Sequence, residues 1–267
     1  MIYLYNTFLH NPIYNALVYF YNVLPLHDMG ISIIILTILL KVILHPFSAK
    51  ALKSQKAMQE LEPKMNALRE KYKDDKQELA RATMELYKTE KVSPFSSCLP
   101  LLIQFPFLIA LYQAMGKVVV SKGFEVLYPF VANPGTINTI SFGFLDLSKP
   151  NIVLAVLAGL AQFAQTKMLP AKQPPKGAGS GAKDESQMAM VNKQMQYMMP
   201  ALTVFIGASI PAGLTLYWFF TTLFTIGQQA WLFNKTSKVK INKPELKLEE
   251  VKKPVEVEAE IVEDKKE

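Results

Sequence analysis

Residues 30–47 read GISIIILTILLKVILHPF, an apolar run interrupted by one cation, Lys41. Nine residues separate Lys41 from Lys50, the next charge toward the C-terminus, so on a helix it lies roughly 13 Å inside that boundary. A hydrocarbon half-thickness is about 15 Å, which puts the ammonium near a bilayer midplane. A lysine at a helix centre costs about 2.5–3.5 kcal/mol on insertion scales, and no acid in the run could pair with it. A residue retained against that penalty has a use.

Outward from this run, the apolar residues of the 267-residue chain are gathered into blocks rather than spread through polar sequence. Blocks of spanning character fall at 30–48, 98–115, 151–169, about 197–210 and 213–233, which predicts an all-α membrane protein of five transmembrane helices. Lysine and arginine alternate along them. Segment 49–97 carries eleven, 170–196 four and 234–267 nine, against none before the first span and three in 116–150. The positive-inside rule then puts the N-terminus outside and the C-terminus in the cytoplasm, in a multi-pass protein of the cell (inner or plasma) membrane. The same bias accounts for the net charge of +7, so DNA is not an expected partner.

Residues 1–29 lack the charged region and cleavage site of a standard signal peptide, and are expected to lie outside the membrane. PIYNALVYFYNVLP predicts a short interfacial helix, with Ile13, Ala16, Leu17 and Phe20 on one face and Pro12 in its first turn. Segment 49–97 predicts a cytoplasmic helical hairpin turning at Lys73-Asp74-Asp75, with apolar stripes too narrow for a core of its own. Segment 170–186, PAKQPPKGAGSGAKDES, predicts a flexible cytoplasmic linker. Its GAGSG lacks the Gly-Lys-Ser/Thr ending of a phosphate loop. The tail 234–267, nine bases against nine acids, is expected to be disordered. Cys98, the single cysteine, excludes an intrachain disulfide and reads as a small core residue.

Enzymatic chemistry finds no footing. The spans contain no Asp or Glu, and so no carboxylate pair, metal-binding H-E-x-x-H or proton-coupling acid. His45, beside Pro46, reads as a polar residue at a helix end. No cofactor or metal is expected. Uncharged polar residues do occur at membrane depth: Thr37 one turn before Lys41 on the same face, Gln104, Gln162, Gln165, Gln228 and Gln229. Hydrogen bonding between helices would explain each singly. A water-filled, positively biased pocket would explain them together.

Several stretches carry a family resemblance. GISIIILTILLKVILHPF, DDKQELARATMELYKTEKVSP (74–94), PLLIQFPFLIALY (100–112), FLDLSKP (144–150) and MPALTVFIGASIPAGLTLYW (199–218) resemble, in order and spacing, the YidC/Oxa/Alb membrane insertases. The resemblance runs from about residue 10 to 235. It implies a five-helix core, 30–233, around a hydrophilic groove open to the cytoplasm and to lipid. It further implies that Lys41, where the family often has arginine, attracts acidic segments of an incoming substrate. Thr37 falls at a groove-lining position, Tyr217 and Trp218 at an aromatic pair of the last span, and Gln104 and Gln165 at polar groove positions. Lysine, unlike arginine, can lose its proton when desolvated, so such a groove must be hydrated.

The function implied is insertion and folding of membrane proteins without nucleotide hydrolysis. Its partners would be nascent membrane-protein chains and the lipid bilayer, with the Sec translocon and a weakly bound ribosome as further candidates. The charge-balanced tail weighs against strong ribosome binding. An anion-selective channel or carrier, and a structural chaperone, are the alternatives.

Overall fold

The computed structural model describes residues 2–73, 75–93, 99–168 and 197–237. The expected linker at 170–186, Cys98 and the tail beyond Ser237 lie outside the described residues. The described residues form helices and one short strand pair.

The N-terminal helix α1 comprises Ile2–Tyr5, a π-helical turn Asn6–His10 and Asn11–Val23. It begins ten residues before the interfacial helix expected from Pro12 onward. The π turn is the reason. Its widened ring bonds the Asn11 N–H to the Asn6 carbonyl, and Pro12, which has no N–H to place, follows directly. The buried face is Ile13, Tyr14, Leu17, Val18 and Tyr21, with Ala16 and Phe20 at its edge.

Helix α2, Met29–Ile43, begins at Asp28, whose carboxylate accepts from the Gly30 and Ile31 N–H groups. It ends at Leu44, short of the expected limit at residue 48. His45 and Pro46 already belong to α3, His45–Lys71, since Pro46 has no N–H to extend the α2 ladder and suits a first turn. The axes of α2 and the first part of α3 meet at 68°. Helix α4, Lys76–Thr89, is capped by Asp75 and folds back on α3, where Lys64 pairs with Glu90.

Helix α5 is Leu99–Val119, continuing four residues past its expected end at 115. A short 3-10 turn, Phe124–Val126, leads to strands β1 (Ile140–Ser141) and β2 (Leu145–Asp146), paired Ile140 with Asp146 and Ser141 with Leu145. Both central turn residues, Phe142 and Gly143, have positive φ, as a tight hairpin requires. Asp28 grips this turn, accepting from the Ser141 hydroxyl and, at 2.6 Å, from the Phe142 N–H.

Helix α6, Ile152–Lys167, is capped by Asn151. Helix α7, Tyr197–Gly207, runs into the turn before Pro211, and α8 is Ala212–Ser237, four residues into the expected tail. The first N–H groups of α8 are taken up by the carbonyls of Lys149 and Leu147. Helix α8 packs extensively on α6 and on α2.

A core of Tyr14, Leu17, Met29, Ile33, Leu111 and Met115 fills the end of the molecule that carries the β-hairpin. The outward faces are apolar too: Ile38, Leu39, Val42, Phe105, Leu160 and Phe205 are exposed, which suits contact with lipid. Among the described residues no single helix is both long and apolar enough to cross a membrane. Helix α2 with His45–Met58 meets that requirement only as a bent pair. At 1.5 Å per residue, α2, α6 and α7 are roughly 22, 24 and 16 Å long.

Helices α6 and α7 approach so closely that a methyl group at Gly159 would lie 2.3 Å from Val204 Cγ2 and 3.2 Å from the Pro200 carbonyl oxygen. Gly159→Ala is therefore expected to destabilise the protein by about 1–3 kcal/mol, as overpacking typically does. Thermal unfolding in detergent measures this, and Gly227→Ala, which meets nothing within 4 Å, is the control.

Candidate functional site

Helix α8 presents Tyr217, Thr221, Thr225 and Gln228 at spacings of four, four and three, so all four lie along one stripe. Each end of the stripe, and its middle, meets a different helix. Gln104 of α5 donates to the Tyr217 hydroxyl. The Lys41 ammonium of α2 donates to Thr225 Oγ1 at 3.3 Å, and that hydroxyl donates to the Thr221 carbonyl at 2.8 Å. Gln228 Nε2 lies 2.7 Å from His45 Nδ1 at the start of α3.

The stripe starts at Tyr217, on the edge of the packed apolar core, and runs away from it toward Gln228. Gln228 and Gln229 are 7 % and 1 % exposed, and among the described residues the side-chain oxygen of each has no partner. Buried amide oxygens in native proteins are almost always hydrogen-bonded, to protein or to water, so this region suits hydration. Lys41 is half-buried, and its span supplies no carboxylate. What the arrangement offers chemically is one cation, flanked by hydroxyls and amides that can both donate and accept: a place for an anion in a polar setting.

The residues named from sequence separate into two sets. Lys41, Gln104 and Tyr217 come together through α8. Thr37 is 1 % exposed, and its hydroxyl donates to the Ile33 carbonyl at 2.6 Å within its own helix. Gln165 is half-buried in the last turn of α6. Trp218 is half-buried and adjoins Tyr217, about 100° around the helix from the stripe. Thr221 and Thr225 were missed, although the four-residue spacing from Tyr217 was available in the sequence. His45, read as a helix-end residue, does begin a helix, and its ring also serves the stripe.

A family model described as 60Kd inner membrane protein matches residues 19–240. A protein of Geotalea daltonii named membrane protein insertase YidC is 35% identical over 225 residues, covering 84% of this chain and 37% of that protein. A protein of the same name from Francisella tularensis subsp. novicida is 39% identical over 210 residues, covering 78% and 33%. The chain thus spans little more than a third of the length of these relatives. The match extends from α1 through the last residues of α8, over every helix that builds the stripe, and the chain belongs to the 60Kd inner membrane protein family, that of YidC.

Proposed function

We propose that this chain inserts membrane proteins into the lipid bilayer by binding alone, through a hydrophilic groove lined by the α8 stripe and centred on Lys41. The observation that carries the reading is the Lys41–Thr225 contact: a cation at membrane depth, opposite hydroxyls and amides and without an acid in its span. The relatives named as insertases supply the class of activity. Charge alternation supports an N-terminus outside and a C-terminus inside, with the α3–α4 hairpin in the cytoplasm to receive substrates.

In this mechanism a polar tail of the substrate enters from the hairpin side. A substrate carboxylate about 5 Å from Lys41 gains up to about 3 kcal/mol at an effective dielectric of 20, before desolvation is deducted. That is comparable to the cost of one charge at a helix centre, so the pairing decides whether the tail enters. Short helices such as α6 and α7 reduce the hydrocarbon the tail must cross, since the bilayer thins to match them. The membrane potential draws a negative tail outward at about 2.3 kcal/mol per charge per 100 mV. The apolar segment then partitions into lipid. Gln165 and Trp218 are proposed to guide the substrate at the margins of the groove, and the side chain of Thr37 to shape its wall. The well-packed apolar end favours this reading over an anion channel or carrier, which would need a polar path through that end.

Photocrosslinkers placed at positions 41, 217 and 225 are expected to capture a stalled nascent chain of a single-span substrate. A probe at Leu111, in the packed core, should capture none. Equal capture at all four positions, or at 111 alone, would overturn the assignment.

A further inference from the structure

A second polar feature lies far from Lys41. A cavity of about 620 Å³ opens between α1 and the C-terminal end of α5, and its lining includes Lys117, Lys122, Glu125, His10, Asn6 and Gln113. Two of the three lysines in segment 116–150 meet here. Lys117 ends an uncharged run that starts at Leu99, about 27 Å of helix, close to a hydrocarbon thickness. The cavity therefore sits at head-group level. Around it the surface is apolar and exposed: Leu4 and Phe8 on α1, Tyr112 on α5 and Val120 beyond its end.

The walls are tied to one another. The Tyr14 hydroxyl donates to the Lys122 carbonyl at 2.8 Å, and Tyr5 donates to Gln113 Oε1 at 3.1 Å. The Lys117 ammonium stands 5.7 Å from the centre of the Tyr14 ring. Its stem crosses Gly123, where a Cβ would lie 2.7 Å from Lys117 Cδ, so glycine makes room for the lysine. His10 is 3 % exposed, with its Nδ1 held 3.0 Å from Asn11 Oδ1. Lys117 and the Lys122 backbone are thus held in place, with the Lys122 and Glu125 side chains exposed at the rim.

We propose that this cavity binds the head group of a zwitterionic aminophospholipid, its phosphate at Lys117 and Lys122 and its primary ammonium at Glu125, with the acyl chains over Leu4, Phe8 and Val120. The proposal rests on the membrane reading of the chain and not on the role given to Lys41. Two ammonium groups and a carboxylate match the charges of such a head group. A phosphate alone would meet Glu125 as a like charge, and a phosphatidylglycerol head group offers Glu125 no cation. A quaternary ammonium has no N–H for the carboxylate to accept.

The test is lipid retention by the purified full chain in detergent, followed by native mass spectrometry. Phosphatidylethanolamine, phosphatidylcholine and phosphatidylglycerol of equal chain length are compared with inorganic phosphate. Phosphatidylethanolamine is expected to be retained at least about fivefold better than the others, the worth of one partly exposed ion pair. Lys122→Ala, which keeps the carbonyl that Tyr14 holds, should weaken all three lipids, whereas Glu125→Gln should abolish the preference for the ethanolamine head group. Retention of phosphatidylglycerol equal to or above phosphatidylethanolamine, equal occupancy by inorganic phosphate, or an unchanged lipid profile in both variants would overturn the proposal. Lys41→Glu, assayed in parallel, should leave lipid retention unchanged, which separates this site from the insertion groove.

Discussion

Lys41→Glu is expected to abolish insertion of substrates with acidic tails, while Lys41→Arg retains it. The attraction available to a carboxylate at about 5 Å is up to about 3 kcal/mol, and reversing the charge turns it into repulsion of similar size. Lys41→Gln removes the attraction alone, which corresponds to a loss of at most about a hundredfold in occupancy. Thr225 and the neighbouring glutamines remain in each variant, so the comparison isolates the charge. Substrates with uncharged tails should respond little to any of the three changes. Cell-free synthesis into vesicles, scored by protease protection of the inserted segment, measures this. Normal insertion of an acidic-tailed substrate by the Glu variant would rule out the recruiting role.

The second large effect is expected at Asp28, in a region remote from the stripe. Its carboxylate is 8 % exposed and receives four donors: the Gly30, Ile31 and Phe142 N–H groups and the Ser141 hydroxyl. Burial pushes its pKa up, but the Ser141 hydroxyl and the three backbone donors outweigh this and hold it below the ordinary aspartate value. Asp28→Ala removes a helix cap and leaves the partly buried Phe142 N–H unpaired, a loss of about 2–4 kcal/mol. Asp28→Asn keeps one acceptor but turns an N–H₂ toward a donor, and should be nearly as damaging.

The sign of the pH effect follows from the lowered pKa. Stability from Asp28 is present above about pH 5 and is lost as pH falls through the folded-state value, below that of the unfolded chain. Thermal unfolding in detergent should therefore show an acid-side decline in the parent protein that is smaller in Asp28→Asn. An identical decline in both would remove Asp28 as its source.

The fold was legible where its causes are local. Runs of apolar residues gave the helices, and Pro46 and Pro211 lie at helix breaks, whereas Pro63 and Pro106 lie inside helices. The end of α2 was misjudged because hydropathy continues through Leu44, whereas backbone geometry does not. The π turn before Pro12 depends on hydrogen-bond register, to which composition is blind. The Asp28 clasp joins residues more than a hundred positions apart, and a lone aspartate before a span reads as an ordinary cap. At the candidate site, Lys41 was conspicuous because a charge in an apolar run is costly. Thr225 was not, because a threonine in a span carries little penalty and reveals its purpose only when a partner helix comes alongside.

The bend at Leu44 has a mechanical consequence. Helix α3 is 27 residues and about 40 Å long, contains Pro63, and leaves the end of α2 at a sharp angle. Rotation of the whole helix by about 10° would carry its far tip through roughly 7 Å, while His45, at the bend, would hardly move. The Gln228–His45 contact sits at this bend, so a small adjustment beside the stripe would be multiplied at the hairpin tip were α3 to turn as one body.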